Sequence, residues 1–368
     1  MIAKRAGALL LWCLSMTSLY ASDKTMWAEK PAISLFGFVD TFYVYDFNQP
    51  DAQQRQPFLY NHNRHNEANV NLALLQMRLE HPKYRSSIAL QVGTYADDNY
   101  ANEEGAAKNI YEASVGFALN ETSTLWLDAG IFPSFIGFES AISTENWTLT
   151  RSLLAENSPY FLSGATLSYR PNKEWFFLAA ALNGWQRIQR VEGSSTPSFG
   201  TQISYTPNEK VSWNWSTFVG TDEPDETRKM RYFNNIYGKF QLSEKIGLIV
   251  GCDIGYEQKE KGSSAYNSWF APILITKYTI DKNWATALRV EKYHDKDGVI
   301  IATQTPNGFQ TMGISSNLDY TPAPNLAVRL EARWLRSRDD IFPKEGALSN
   351  DNVFIGASIA LKFSQNLK

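Results

Sequence analysis

The sequence contains little cysteine, no long apolar run and no marked excess of either charge. Its 368 residues include two cysteines, and 35 basic residues stand against 38 acidic ones, a formal net charge of −3. No stretch beyond the N-terminal segment approaches the roughly 20 apolar residues that a membrane-spanning helix needs. The sequence therefore excludes a helical membrane protein, and the lack of a basic stripe argues against a nucleic-acid partner.

The N-terminal residues have the order of a secretory signal peptide. Lys4 and Arg5 precede an apolar run at 6–14, and small and polar residues follow. This order predicts a signal peptide over 1–21 that is removed on export, whereas a membrane anchor would need a longer apolar run. Cys13 would leave with it, so the exported chain would hold one thiol, that of Cys252, and no internal disulfide.

Most of the remaining chain alternates apolar and polar residues with a period of two. The alternation is clearest at 111–119, 211–219, 246–257 and 326–334. Strict alternation indicates strands with one apolar face, and segments of about 9 to 13 residues match tilted strands that cross a bilayer. The apolar positions change parity after Leu74, which we interpret as a β-bulge near that residue.

The connections between these segments alternate between short and long. Short turns occur at 82–85, 120–123, 171–174, 207–210, 243–245, 281–283 and 321–325. Long loops occur at 49–63, 97–107, 134–160, 185–197, 221–230, 258–266, 294–308 and 337–350. This pattern implies about sixteen strands, an even number, as in bacterial single-chain barrels.

The sequence thus predicts an all-β fold, a transmembrane antiparallel up-and-down β-barrel over 32–363, with short periplasmic turns and long extracellular loops. A lead-in at 22–31 and a tail at 364–368 would lie in the periplasm. A secreted β-sandwich is the alternative fold, but it gives no reason for the sorting of the connections into short and long ones.

Aromatic residues cluster beside the predicted turns, which is typical of the girdle at a membrane interface. The predicted girdle consists of Trp126, Tyr169, Trp175, Tyr205, Trp213, Trp284 and Tyr320. The last strand is amphipathic and ends on Phe363, which resembles the recognition signal of the barrel-insertion machinery, although five residues follow Phe363.

Several motifs outside this periodicity carry a family resemblance. The first is Gly37-Phe-Val-Asp-Thr-Phe-Tyr-Val-Tyr-Asp-Phe-Asn48, and the others lie at 55–67, 108–113, 127–133, 136–160 and 182–190. They resemble the OmpL-like β-barrel porin family of Bacteroidetes-type bacteria, most specifically from 37 to 190. The resemblance implies an outer-membrane barrel with porin activity and names no solute.

Charged residues on the face opposite the lipid are predicted to line the lumen. These are Asp40, Glu112, Asp128, Asp253, Arg289, Glu291, Arg329, Glu331 and Arg333. The loop 134–160 is predicted to fold inward and narrow the pore, as the loop in that place commonly does in sixteen-stranded porins. Its charged residues are Glu139, Glu145, Arg151 and Glu156.

An acidic loop opposite a basic wall would place a transverse field across the constriction. The alternative leaves the loop outside and the wall charges paired with one another.

Two other clusters contain residues of the types found in metal or catalytic sites. His62, His65 and Glu67 could bind a metal, but a polar extracellular loop is the simpler interpretation. His294 lies near two aspartates, yet no nucleophile with a base and an orienting group can be assembled. The sequence therefore predicts no catalytic residue, no metal and no cofactor.

Together these features predict a passive channel for small hydrophilic solutes in the cell outer membrane of a Gram-negative bacterium. A structural or adhesive barrel with an occluded lumen is the alternative. The expected partners are membrane lipid and lipopolysaccharide, small hydrophilic solutes and the barrel-insertion machinery, with no nucleic acid. A homotrimer stays open as the assembly, because sixteen-stranded porins often form trimers.

Overall fold

The computed structural model describes residues 29–367, and within them sixteen antiparallel strands close into one barrel. The wall strands are β1 (Ala32–Asp46), β2 (Ala68–Glu80), β3 (Tyr84–Val92), β4 (Ile110–Ala118), β5 (Leu125–Pro133), β6 (Phe161–Tyr169), β7 (Trp175–Leu182), β8 (Ser198–Asn208), β9 (Val211–Gly220), β10 (Arg231–Gln241), β11 (Ile246–Gln258), β12 (Tyr266–Thr279), β13 (Trp284–Asp295), β14 (Phe309–Ala323), β15 (Leu326–Ser337) and β18 (Asp351–Leu367). Strands adjacent in the chain pair with each other, β15 pairs with β18, and β18 pairs with β1 to close the wall. The predicted sixteen-stranded barrel is confirmed.

Short elements outside the wall occupy the long loops. A small hairpin, β16 (Phe342–Lys344) and β17 (Ala347–Ser349), precedes the last strand. Helices cover Thr94–Asn99 and Leu153–Glu156, and 3₁₀ turns cover Gly105–Asn109 and Ser143–Glu145. Within residues 29–367, no helix has the length and hydropathy to cross a membrane. The predicted signal peptide and most of the predicted lead-in lie outside the described residues.

The outer surface of the wall is apolar at every second position. In β3, for example, Ile88, Leu90 and Val92 are more than half exposed, whereas Ala89 and Gln91 between them are buried. A continuous apolar surface of this kind is unfavourable in water and is matched by the hydrocarbon of a bilayer. On every strand that keeps this alternation, the residues between the exposed apolar ones therefore face the interior of the barrel.

Two bulges correct the predicted parity of the inner face. The register of β1 against β2 shifts at Asn71, not at Leu74, and Leu74 is buried inside the barrel. A second shift, in the β3–β4 ladder, leaves Tyr111 unpaired and buried, although the alternation had placed it on the lipid side. Each bulge adds one residue to a strand and so moves a side chain to the other face.

The end of the chain also differs from the prediction. Strand β18 continues to Leu367, and residues 364–367 pair with 33–36 of β1 instead of forming a free tail. Phe363 is 48% exposed on the outer face, and its ring covers Gly37 on β1, at the place where a Cβ atom would otherwise sit. A glycine is therefore required beneath this aromatic ring.

The interior of the barrel contains two large clusters of buried apolar side chains. One includes Phe58, Leu153 and Trp269, and the other includes Tyr95 and Phe161. Both combine wall residues with residues of the long loops, so the loop-side half of the lumen is largely filled by packed side chains. Loop 134–160 contributes to both clusters, and its position decides what space is left.

Candidate functional site

Loop 134–160 folds into the barrel and follows the inner wall. The Ser134 N–H donates to the Tyr160 carbonyl at 3.0 Å and closes the base of the loop. The Gly137 N–H then donates to Asn235 of β10 at 3.1 Å, and Leu149 lies against Gly356 of β18. The loop therefore extends from its own strands, β5 and β6, to the opposite side of the lumen.

Arg289 of β13 forms the centre of the contact between this loop and the wall. Its guanidinium donates to the Thr150 carbonyl at 2.6 Å and to the Thr148 hydroxyl at 2.9 Å. It also pairs with Glu331 of β15 at 2.8 Å, and Glu331 accepts the Thr150 N–H at 2.6 Å. Arg289 and Glu331 are both fully buried, so each relies on these partners for the solvation that water would otherwise supply.

A second pair of wall charges continues the contact. Arg333 of β15 donates to Glu291 at 2.6 Å and to the Arg151 carbonyl at 3.1 Å. Glu291 in turn accepts the N–H of Leu153 at 2.7 Å. Because that N–H lies at the start of the helix Leu153–Glu156, the carboxylate also caps a helix end that carries partial positive charge.

Arg329 holds the first part of the loop. It donates to the carbonyls of Ser143 and Asn146, at 2.5 and 3.1 Å, and pairs with Asp319 of β14 at 2.8 Å. Like the other two arginines, it is no more than 2% exposed. The hypothesis of a free basic wall facing an acidic loop across open water is therefore wrong, because the wall arginines bind the loop backbone.

The charged residues of the loop itself have diverse surroundings. Glu139 accepts the Ser152 N–H at 3.1 Å, and Glu145 is exposed. The Arg151 guanidinium stacks 3.5 Å from the ring centroid of Tyr160. Glu156 is buried, and it accepts the Tyr60 N–H at 3.0 Å and the Tyr160 hydroxyl at 2.5 Å. Burial raises the pKa of Glu156 above its ordinary value.

The other wall carboxylates predicted to line the lumen lie in three different settings. Asp40 is fully buried and contacts His62 at 3.0 Å, beneath the loop that follows β1. Asp253 is also buried and accepts from the Asn235 amide at 2.6 Å. Glu112 and Asp128, by contrast, are half-buried and line an open cavity at the turn-side end of the barrel.

This turn-side cavity has a volume of about 460 Å³ and is bounded by β2–β7 and the start of loop 134–160. In it Arg85 pairs with Asp128 at 2.6 Å, and Glu112 accepts from the Gln76 amide at 2.6 Å. Gly130 of β5 pairs with Gly164 of β6 in the wall beside this cavity. Both have positive φ, and a Cβ atom at either would meet a backbone carbonyl of the next strand.

Three arginines of the cavity were missed by the sequence reasoning. Arg78, Arg85 and Arg170 all line it, close to the predicted turns at 82–85 and 171–174. Their parity carried the signal: Arg78 and Arg85 belong to the inward-facing series of β2 and β3, and Arg170 continues that of β6 one residue past the end of the strand. The apolar alternation that identifies the inner face is clearest elsewhere, so these three arginines were not predicted to line the lumen.

The structure places six of the seven predicted girdle residues on the outer face. They are Tyr169, Trp175, Tyr205, Trp213, Trp284 and Tyr320, and several stack across strands, with ring centroids 4.3 Å apart for Trp175–Tyr205 and 4.6 Å apart for Trp284–Tyr320. Trp126 is the exception, and its assignment to the girdle was wrong. It faces the turn-side cavity with the Arg85 guanidinium 4.3 Å from its ring centroid.

The histidine clusters are dispersed by the fold. His62 contacts Asp40, whereas His65 accepts the Asp46 N–H at 3.0 Å. His294 stacks on Phe270, with 4.9 Å between ring centroids. Among residues 29–367, no group of three or more His, Cys, Asp or Glu side chains is arranged to hold a metal ion.

A closed sixteen-stranded barrel with an apolar outer face and an inward-folded loop defines an outer-membrane barrel of the porin class. Residues 32–363 match the family described as "Putative beta-barrel porin-2, OmpL-like", and the chain belongs to that family. The resemblance drawn from the sequence motifs is thereby confirmed. The protein is an outer-membrane porin of a Gram-negative bacterium.

Solved porin structures share this fold at low sequence identity. The anion-selective porin from Comamonas acidovorans has a TM-score of 0.61 and 9% identity, covering 91% of this chain and 100% of that one. The outer membrane channel DcaP of Acinetobacter baumannii has a TM-score of 0.60 and 14% identity, covering 91% and 98%. OmpF of Salmonella typhi, in complex with daunomycin, has a TM-score of 0.57 and 10% identity, covering 90% and 97%. No curated protein matches the sequence.

Proposed function

We propose that the protein is a passive diffusion channel for small hydrophilic solutes, narrowed by loop 134–160. The observation that carries the proposal is the fixed position of this loop. Arg289, Arg329 and Arg333 hold its backbone against one side of the lumen, while the turn-side cavity remains open along β2–β7. A constriction built in this way is rigid, and the space beside it is lined by charged, polar and aromatic side chains.

The proposed path leads from the turn-side cavity past the loop. A second cavity, of about 240 Å³, shares Pro133 with the first and is lined by Tyr111, Glu139, Arg151 and Lys239. It lies between the loop and the walls formed by β4 and β10. We place the constriction there, so that Glu139 and Arg151 face the solute, whereas Glu156 lies deeper in the packed part of the loop.

The charges along this path are nearly balanced. Three arginines of the turn-side cavity face Glu80, Glu112 and Asp128, and Asp128 is already paired with Arg85. In one water-filled space, the electrostatic fields of oppositely charged groups largely cancel one another over the distance of a Debye length. The channel should therefore select mainly by size and only weakly by the sign of charge.

A structural or adhesive barrel with an occluded lumen is the second candidate function. Specific packing favours it: Tyr100 stacks on Phe161 with 4.1 Å between ring centroids, and Trp185 contacts both Phe218 and Phe233. These aromatic side chains fill much of the loop-side interior. They narrow any path there and would close it if no gap remained beside the loop.

We make four further proposals, which concern catalysis, partners and assembly, export, and the aromatic girdle. The family and fold are those of a channel, and no catalytic residue is proposed because the histidines are held apart by separate partners. We further propose that lipopolysaccharide and the barrel-insertion machinery, which would act on Phe363, are partners of the protein. We propose a homotrimer as its assembly. Residues 1–21 are proposed to direct export as a signal peptide, and the outward aromatics to form the girdle.

Planar-bilayer recordings of the full-length protein test the proposal. The wild type should give discrete current steps, and a variant with 138–156 replaced by a short Gly-Ser linker should give larger ones. Absence of steps from a folded wild type would support the occluded barrel. Unchanged conductance of the deletion variant would exclude the loop as the constriction.

A cysteine variant tests the path without removing the loop. In S114C combined with C252S, the new thiol lies in the turn-side cavity. A charged methanethiosulfonate reagent should reduce its conductance, because the reaction adds bulk and charge to the path. The wild type is the control, since Cys252 is on the outer face. An unaltered current from fully modified S114C would place the path elsewhere.

A further inference from the structure

Basic side chains form a row on the outer face of the barrel, at the loop-side end of β13–β15. Lys292, Arg336 and Arg338 are all exposed. Lys292 pairs with Met312, which in turn pairs with Arg336, so the two cations flank one apolar side chain. Val290, two residues before Lys292 on the same face, belongs to the apolar outer surface. The row therefore lies where the apolar band of the wall ends.

A groove of about 660 Å³ lies on the wall beside this row. Its apolar lining includes Val250, Pro272, Leu274, Val290 and Met312. The ladder between β12 and β13 is interrupted at Pro272, which has no N–H to donate, and its compact ring lines the groove together with Lys292. Cys252, the partner of Pro272 on β11, is also short. Two short side chains between larger apolar neighbours leave a depression in the outer surface.

The cations of the row are incompletely paired. Arg336 forms an ion pair with Asp351, and Lys292 lies 6.0 Å from the ring centroid of Phe270. Within residues 29–367, Lys292 forms no ion pair with a carboxylate, and Arg338 is attracted to the neighbouring Asp339 without a direct ion pair. A cation on the lipid face is costly near the bilayer midplane and tolerated near the interface, where headgroups can solvate it. The row thus has capacity for an anionic group at the level of the headgroups.

We infer that this groove binds lipopolysaccharide through a phosphate of its lipid A moiety. Long loops face the cell exterior in bacterial barrels, so the row lies in the outer leaflet. Lys292 and Arg338 bind the phosphate. Arg336, which Asp351 holds in place, donates a further hydrogen bond to the phosphate. One acyl chain lies along Val250 and Leu274. The inference rests on the proposal that lipopolysaccharide is a partner, but the site is outside the lumen, so its test does not depend on channel activity.

Native mass spectrometry of the detergent-solubilised full chain, titrated with lipid A, tests the assignment. The variant K292A/R338A removes the two unpaired cations, and K259A/K261A is the matched control. Lys259 and Lys261 are exposed on the same end of the barrel but do not line the groove. Each basic residue near an anionic surface strengthens binding about five- to six-fold. We therefore expect lipid A to bind K292A/R338A about 30-fold more weakly, with K259A/K261A like the wild type.

Three outcomes would overturn the inference. If the wild type, K292A/R338A and K259A/K261A bind lipid A with equal affinity, the basic row is not part of the binding site. Equal binding of enzymatically dephosphorylated lipid A to the wild type would exclude phosphate recognition, and this comparison needs no variant. If the wild type forms an oligomer without lipid and the K292A/R338A substitutions dissociate it, a second copy of the chain covers the groove. If the alanine variant fails to fold, K292Q/R338Q replaces it.

Discussion

Replacing Arg289 by alanine should release loop 134–160 from the inner wall while the barrel stays closed. The change removes two hydrogen bonds to Thr150, one to Thr148, and the ion pairs with Glu331 at 2.8 Å and with Glu291 at 3.3 Å. Glu331 would remain buried without the guanidinium with which it forms an ion pair. Deleting one partner of a buried pair costs about 3–5 kcal/mol, because the other charge is left uncompensated.

That cost applies to the docked loop rather than to the wall. The strands on either side of Arg289 remain joined by backbone hydrogen bonds, which the substitution leaves in place. A loss of about 3–5 kcal/mol changes the ratio of docked to undocked loop by a factor of about 10² to 5 × 10³. We expect larger and noisier single-channel currents, together with new protease cleavage inside 138–156.

R85A is the matched control for R289A. Arg85 is also a wall arginine paired with an aspartate, Asp128 at 2.6 Å, but its side chain is 44% exposed. An exposed pair of this kind contributes about 0–1 kcal/mol, so R85A should keep the loop protected from protease. Wild-type current noise and full protease resistance of folded R289A would refute the argument that the buried network holds the loop.

Three further predictions concern other parts of the molecule. G130V should lower the midpoint of urea unfolding, because Gly130 has φ 138° and a Cβ atom would meet the Ala113 carbonyl; an unchanged midpoint would contradict the backbone assignment. Since burial raises the pKa of Glu156, its contribution to loop docking is fully present below the ordinary carboxyl pKa and is lost as the pH rises through the raised value. The loop should therefore be better protected from protease at pH 4 than at pH 8, and E156Q should abolish that difference. F363A should slow folding into lipid vesicles, measured by the mobility shift of the folded barrel, whereas L361A, from the same outer face, should slow it less.

The wall could be predicted from the sequence because its cause is repeated on every strand. A lipid face on one side and a polar or packed interior on the other impose a period of two, and turn residues mark where each strand reverses. The bulges at Asn71 and Tyr111 broke that rule locally. Trp126 showed a different limit: a tryptophan beside a turn suits a membrane interface or a lumen equally well, and the choice depends on Arg85, a partner 41 positions earlier in the chain.

The site was less predictable because its central contacts join charged side chains to backbone atoms. The arginines Arg289, Arg329 and Arg333 could be assigned to the inner face from parity alone. Their main acceptors are carbonyls of Ser143 and Thr150 and of neighbouring loop residues, and a carbonyl has no signature in a sequence. Charges therefore suggested a field across water, whereas the fold uses them as short-range anchors.

The parity of β15 links the inner and outer sites. Arg329 and Arg333 occupy odd positions and bind the loop, whereas Arg336 occupies an even position and faces outward in the basic row. A slip of one residue in this strand would turn the two inner arginines toward lipid, at about 2–4 kcal/mol each near the midplane. It would also bring Arg336 inside, turn Glu331 toward lipid, and take Glu331 and Arg333 away from their β13 partners Arg289 and Glu291. The same arginines that fix the loop therefore fix the register of the strand, and the basic row can exist on the outer face only because that register is held.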